Sequence, residues 1–319
     1  MRALRNVALS CFLLGLPVLA QAAQAAGAAA GHGEAHAEHS GLPAAAPRVL
    51  EIGPFAVTNS MVLTWIVAIA LIFFAQVATR NIRAIPEGAQ NFWEWLVESL
   101  HDFLEGIIGA DLVKKTFWFF ATVFIFILAC NWFGLIPGVG SVGWGHPDAQ
   151  GHVGHLSSPL FRGANADLNM TLAMSMIFFV CWTVWAFQAN GATGFLLHIF
   201  GPKGDTAGAL KVLMIGVFVL VGVLEVVSIL FRPVSLSFRL FGNIFAGENM
   251  LETMTTLSPT FGFLLALPFY FMELLVGLVQ ALVFMLLTSV FTLLICQHDE
   301  EHGHGHAQGH GHGAAPAKH

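Results

Sequence analysis

Charged residues are scarce in this chain. Only 10% of its 319 residues are Asp, Glu, Lys or Arg, and 56% are hydrophobic. Soluble domains carry roughly 25% charged residues, so the composition excludes an ordinary soluble protein and indicates an integral membrane protein. The formal net charge of −6 gives no sign of nucleic-acid binding.

Paired cysteines and catalytic motifs are also missing. The four cysteines lie in apolar segments without CxxC spacing, which favours small hydrophobic side chains over disulfides or metal ligands; they are Cys11, Cys130, Cys181 and Cys296. The string GVGSVG at 138–143 follows an apolar region and precedes no helix pattern, so it does not indicate a nucleotide site. We expect a chain that is not itself an enzyme and that needs no cofactor.

The two ends of the chain differ from its middle. Residues 1–22 have a basic start, a short apolar stretch and small residues before a cleavage point, which predicts a cleavable signal peptide. Residues 23–59 are predicted to be a low-complexity, His/Ala-rich external segment, and 298–319 a disordered His/Gly-rich cytoplasmic tail. Its histidines offer at most a weak metal site, with incidental affinity the simpler interpretation: His302, His304, His306, His310 and His312.

Residues 60–297 are predicted to form an all-α membrane domain. Its apolar regions lie at about 61–78, 117–133, 168–189, 212–251 and 261–296. The last two are longer than a bilayer of ~30 Å requires, so we expect two tilted helices that form a hairpin near Pro259. Between the first two regions, residues 86–109 have the apolar spacing of an amphipathic helix that lies on the membrane surface or contacts a partner.

Lys and Arg are distributed unevenly among the loops. Loops 79–116 and 190–211 carry several of them, whereas loop 134–167 has only Arg162. By the positive-inside rule, and in agreement with the predicted signal peptide, this predicts a multi-pass membrane protein with the mature N-terminus outside and the C-terminus in the cytoplasm.

Polar residues inside the apolar regions are the candidate functional residues, because a charge within a bilayer costs about 2.5–17 kcal/mol. They are Glu225, Arg232, Arg239, Asn243, Glu248, Glu273 and Gln280, with Asp167 and Asn169 at the start of the third region. For Asp167 a helix-capping role is an open alternative.

The spacing of these residues predicts an arrangement in the hairpin. Arg239 and Asn243 share a helix face, whereas Glu248 points away from Arg239. Folding the hairpin about Pro259 brings Glu248 to the depth of Glu273, and Arg239 to that of Gln280. Carboxylates then lie near the outside, an arginine in the middle and Glu225 near the inside. This pattern suits two proton paths that a fixed cation separates.

The string SLSFRLFGNIFAGENM at 235–250 resembles subunit a of the membrane (Fo) sector of bacterial F-type ATP synthases, with support from NWFGLIPG, NADLNMTLAM and VQALVFMLLT. The resemblance covers about residues 60–300 and implies a location in the bacterial inner (plasma) membrane. It implies that Arg239 is the stator arginine that faces a rotating ring of c subunits. Asn243, Glu248, Glu273 and Gln280 would then line the outer half-channel, and Glu225 the inner one.

The resemblance also implies partners: the c-ring, the b-subunit peripheral stalk, membrane lipid and protons, with sodium the less favoured ion. Some relatives have histidine where this chain has Glu273. Two other functions stay open from the residues: a stand-alone secondary ion transporter, although no internal repeat is visible, and a structural membrane anchor.

Overall fold

The computed structural model describes residues 46–52, 55–140, 142–144, 158–200, 209–258 and 261–296. The predicted signal peptide and the tail histidines lie outside these ranges. Within them the chain is mainly helical, with six α-helices: α1 Asn59–Thr79, α2 Ala89–Ile108, α3 Ala110–Gly134, α4 Leu168–Phe200, α5 Ala209–Thr256 and α6 Gly262–Cys296. The all-α class is thereby confirmed.

Five of these helices are long and apolar enough to cross a membrane: Asn59–Thr79, Ala110–Gly134, Leu168–Gly191, Gly216–Thr256 and Gly262–Cys296. They coincide with the five apolar regions. Helix α5 has 48 residues, or ~72 Å at 1.5 Å per residue, so it exceeds the bilayer core as predicted. Helix α4 kinks at Gly191, whose φ of 68° suits a residue without a Cβ.

Short strands occupy the segments between helices. They are β1 Arg48–Ile52, β2 Phe55–Thr58, β3 Pro137–Gly140, β4 Gly143–Trp144 and β5 Ser158–Pro159. β1 pairs antiparallel with β2, and β4 with β5. The β1–β2 hairpin falls in the last part of the segment 23–59. We refer to the end of the bundle that carries the α3–α4 connection as the outer end, following the distribution of Lys and Arg.

The predicted amphipathic helix is present as α2, which runs between α1 and α3. Leu100, Leu104 and Ile108 are buried against the bundle, whereas the acidic side chains Asp102 and Glu105 remain accessible. The alternation of apolar and acidic residues therefore sets which face of α2 packs.

The core lies where α3, α4 and α6 meet. Phe119 and Phe120 of α3 contact the Trp185 ring of α4, with ring centroids 5.6 and 5.8 Å apart. Helix α6 crosses close to α3 at Gly277, where an added Cβ would lie 3.1 Å from the Cβ of Asn131. This close approach brings the polar residues of α6 beside those of α3 and α5.

Candidate functional site

The segment that precedes α4 folds back into the outer end of the bundle. Its 3-10 turn, Ala164–Ala166, is buried. Asp167 caps α4, because the backbone N–H of Asn169 donates to its Oδ1 at 3.0 Å. The hydroxyl of Ser60, on α1, donates to the other carboxylate oxygen at 2.5 Å. Asp167 therefore has the capping geometry, and it also ties this segment to α1.

Glu248 and Glu273 lie close together at this end, α5 providing one and α6 the other. The two carboxylates act on each other electrostatically. A Cβ added to Gly163 would overlap the Glu248 carboxylate, and one added to Gly247 would overlap that of Glu273. Each carboxylate thus occupies space that a neighbouring glycine leaves empty. The fold brings together the pair that the hairpin geometry predicts.

Two cavities meet at Glu248. The larger, the outer cavity, has a volume of about 610 Å³, and Arg162, Glu252 and Tyr270 are among its lining residues. The smaller, the inner pocket, has about 10 Å³ and is lined by Glu248 and Glu273 together with Asn131. That volume is close to what one water molecule needs. Glu248 lines both, so the arrangement can pass a proton from the outer cavity toward Glu273.

A buried amide pair lies beside the inner pocket. The amide of Asn165 donates to Oδ1 of Asn131 at 2.6 Å, and the amide of Asn131 donates to the Gly277 carbonyl at 2.9 Å. Both side chains are buried. The pair joins the α3–α4 connection, α3 and α6, and fixes the wall of the pocket next to Glu273.

Arg162 is a buried cation at this end. Its side chain is only 3% exposed, and its guanidinium carbon lies 5.7 Å from the Phe245 ring centroid. Burial lowers the pKa of Arg162, while the charges of Glu248 and Asp167 act to raise it. An arginine starts from a pKa above ~12, so it stays positively charged here.

Arg239 lies on a different face of α5. It is exposed together with Asn243, one turn away, and Phe238. In the part of the chain that the structure describes, Arg239 has no ion pair and no hydrogen bond. This matches the shared face of Arg239 and Asn243 predicted from helical spacing, with Glu248 directed elsewhere. Any group that compensates this charge must come from outside these residues.

Gln280 is half-buried on α6, two turns beyond Glu273. Within the described ranges no hydrogen bond joins it to Arg239. The structure therefore brings Glu248 and Glu273 together, but it shows no contact between the other predicted pair.

Glu225 lies toward the inner end of α5, where Arg232 contacts it at 3.3 Å. The Arg232 guanidinium also lies over the Phe291 ring at 4.7 Å and the Trp182 ring at 5.7 Å. These stacking contacts hold Arg232 between α4, α5 and α6. Glu225 consequently has a fixed positive neighbour two turns along its own helix.

Sequence reasoning missed several residues of these sites. The sequence marks Arg162 only as a loop charge, and it marks Arg232 as an intramembrane candidate without predicting its contact with Glu225. Asn131, Asn165 and Gly163 fall inside or beside the strings NWFGLIPG and NADLNMTLAM, which gave the only signal that could have found them.

Known proteins with similar sequences identify the family of this chain. The profile of the family described as ATP synthase A chain matches residues 61–292. The chain belongs to that family. An ATP synthase subunit a from Trichlorobacter lovleyi is 33% identical over 236 residues, which cover 74% of this chain and 86% of the relative.

Two further relatives named ATP synthase subunit a show the same relation. The protein from Gloeobacter violaceus is 31% identical over 256 residues, covering 79% of this chain and 90% of its own length. The protein from Moorella thermoacetica is 31% identical over 243 residues, which cover 76% of this chain and 93% of the relative. Membership of this family, with five candidate spans, makes the chain a multi-pass inner-membrane protein and a proton-translocating subunit of the Fo sector.

Proposed function

We propose that this chain is the stator channel subunit of a rotary ATP synthase. Two offset half-channels carry protons to and from carboxylates on a rotating c-ring, and Arg239 separates them. The chain binds no nucleotide and catalyses no bond change itself. The mature N-terminus lies outside and the C-terminus in the cytoplasm.

The observation that carries the proposal is the position of Glu248. It lines both the outer cavity and the inner pocket, and its neighbour Glu273 is 3% exposed. A proton from the outer side reaches Glu248 from the cavity, and the water-sized pocket connects Glu248 to Glu273. Carboxylates within reach of one water molecule are suitable acceptors for successive proton transfers.

Arg239 supplies the barrier. Its charge lies on an exposed face of a membrane helix, where it costs about 2.5–17 kcal/mol if nothing compensates it. A carboxylate of the passing ring offsets this cost. At ~4 Å and an effective dielectric constant near 20, the attraction is about 4 kcal/mol. A ring carboxylic acid therefore loses its proton as it approaches Arg239, and protons do not cross directly between the half-channels.

The inner half-channel begins near Glu225. Glu225 and Arg232 form an ion pair on the inner half of α5, on the far side of Pro233 from Arg239. A carboxylate with a fixed cationic neighbour can accept a proton from the ring and release it inward. The b-subunit stalk is a further proposed partner. The acidic face of α2 stays accessible to solvent, because acidic residues disfavour contact with anionic lipid.

The test is proton-driven ATP synthesis by membrane vesicles that contain Arg239→Ala. We expect synthesis by the wild type and none by the variant, because the ring carboxylate loses its counter-charge and the half-channels are no longer separated. Co-purification of the c-ring and stalk subunits confirms that the variant assembles. Normal synthesis by an assembled Arg239→Ala complex would refute the mechanism.

The coupling ion is tested in the same vesicles. An imposed proton gradient should drive synthesis by the wild type in sodium-free buffer. Synthesis that instead requires a sodium gradient would keep the stator role and replace the proton with sodium.

A further inference from the structure

We propose that Arg162 is a further residue of the outer proton path. It is a positioning residue whose fixed positive charge favours the ionised form of Glu248 and thereby sets the pH range in which the path works. This inference rests on the proposed function, since it takes Glu248 to lie on that path.

The geometry places Arg162 beside Glu248 although it belongs to no membrane helix. The α3–α4 connection carries it into the outer cavity, which Glu248 also lines. Its guanidinium lies near the ring of Phe245, which precedes Glu248 by three residues and so shares its side of α5. The next residue, Gly163, gives the Glu248 carboxylate a backbone hydrogen bond.

The burial of Arg162 needs a compensating charge. Among the described residues its Nε and both Nη atoms make no hydrogen bond, and a buried charge is costly unless it is paired. The charges that act on it are Glu248 and Asp167. Of the two, Glu248 acts on Arg162 the more strongly, and Asp167 already accepts hydrogen bonds from Ser60 and from the Asn169 backbone.

Apart from the Gly163 N–H, whose hydrogen bond also favours the carboxylate, the other groups that face Glu248 do not favour its ionised form. Glu273, on α6, and Glu252, on α5, are negative and act on it electrostatically. Tyr270 of α6 and Cys130 of α3 line the two cavities and are neutral at ordinary pH. Among the described groups around Glu248, Arg162 is therefore the positive charge that opposes protonation of the carboxylate.

The test compares Arg162→Gln with Arg162→Lys in the complete ATP synthase, in vesicles whose outer-side pH is varied. We expect the rate–pH profile of Arg162→Gln to shift to higher pH by about one pH unit, because Glu248 then holds its proton more strongly. At the acidic end the rate should fall roughly tenfold. Arg162→Lys should keep a near-native profile.

Two further variants separate charge from shape. Arg83→Gln removes an arginine from an exposed ion pair with Glu87 and should behave as the wild type. In a Glu248→Gln background, Arg162→Gln should cause no further loss, since the carboxylate on which it acts is gone. A merely structural arginine would show additive losses in the double variant.

The inference is overturned by an unshifted profile in Arg162→Gln, by additive losses with Glu248→Gln, or by equal damage in Arg162→Lys. If Arg162→Gln fails to assemble, the double variant Arg162→Gln/Glu248→Gln decides. Assembly of the double variant supports the pairing of the two charges, and failure of the double variant to assemble overturns the inference. An inactive Arg239→Ala with an unshifted Arg162→Gln rejects this inference alone. Full synthesis by both Arg239→Ala and Glu248→Gln rejects the proposed function itself.

Discussion

At the scale of single residues, the absence of side chains shapes the outer site. Gly163 and Gly247 stand against the carboxylates of Glu248 and Glu273, and a Cβ at either position would overlap the carboxylate. Neither glycine is explained by a turn with positive φ, since neither is among the glycines in that region. Their function is to leave space for an acidic group between packed backbones.

The first residue-scale prediction is that Gly163→Ala slows proton transport by about tenfold or more, because displacement of a reacting group by ~1 Å can cost a hundredfold. The measurement is ATP-driven proton pumping, followed with a pH-sensitive dye in vesicles.

The matched control is Gly106→Ala on α2, where an added Cβ meets nothing within 4 Å. It should pump normally, and alanine should if anything strengthen the helix. Equal pumping by both variants would show that the fit of Gly163 around Glu248 is unimportant.

At the scale of elements, side chains of neighbouring helices hydrogen-bond to backbone carbonyls of α6. Asn131 reaches the Gly277 carbonyl at 2.9 Å, and the Trp182 indole N–H reaches the Phe291 carbonyl at 3.0 Å. The Asn190 amide reaches the Ile295 carbonyl at 2.8 Å. Apolar packing between membrane helices is weakly directional, so these bonds fix the rotation of α6 and hence the direction of Glu273.

At this scale we predict that Asn131→Ala destabilises the protein by about 1–3 kcal/mol, because the buried amide of Asn165 loses the acceptor of its shorter hydrogen bond and keeps only the long one to the Ile127 carbonyl. The measurement is the thermal unfolding of the purified complex in detergent.

Thr122→Ala is the control on the same helix. The Thr122 hydroxyl is exposed and bonds only to the Trp118 carbonyl of its own helix, so its loss should change Tm little. An unchanged Tm in Asn131→Ala would mean that the amide pair does not hold α6.

At the scale of the whole molecule, one face of helix α5 lies on the outside surface of the bundle. Leu220, Leu224, Phe231 and Phe238 are each between 43% and 63% exposed, and they extend the face that carries Arg239 and Asn243. A long apolar surface interrupted by a cation and an amide suits a protein partner with acidic groups better than lipid chains alone.

For the whole molecule we predict that a photo-reactive phenylalanine analogue at Phe238 forms adducts with a small ring subunit, since this side chain points outward. The same analogue at Phe120, which is buried, should form none between chains. The products are separated by mass after irradiation of native membranes. Adducts with lipid only, in an assembled complex, would contradict the proposed ring-facing surface.

The helices could be predicted because each span is a long apolar run that needs no distant partner to be recognised. The hairpin pairing of Glu248 with Glu273 also followed, since both helices are continuous through the relevant turns. Arg239 stood out because a lone charge in an apolar segment is conspicuous in any sequence.

The remaining residues of the site depend on contacts across the chain. Asn131 contacts Gly277, which is 146 residues away in the sequence, and Asn165, which is 34 residues away. No local periodicity encodes such pairs. In the sequence Arg162 is an ordinary loop charge, and only the folding of the α3–α4 connection into the bundle brings it to the cavity that Glu248 lines.

The outer cavity has an electrical consequence. Its lining includes Arg162, Glu248 and Glu252, so it admits water, and the potential of the outer solution extends inward as far as Glu248. In the proposed mechanism, the voltage across the membrane then falls mainly over the stretch around Arg239. A unit charge that crosses 100 mV gains about 2.3 kcal/mol, and the cavity concentrates most of that work on the step at the arginine.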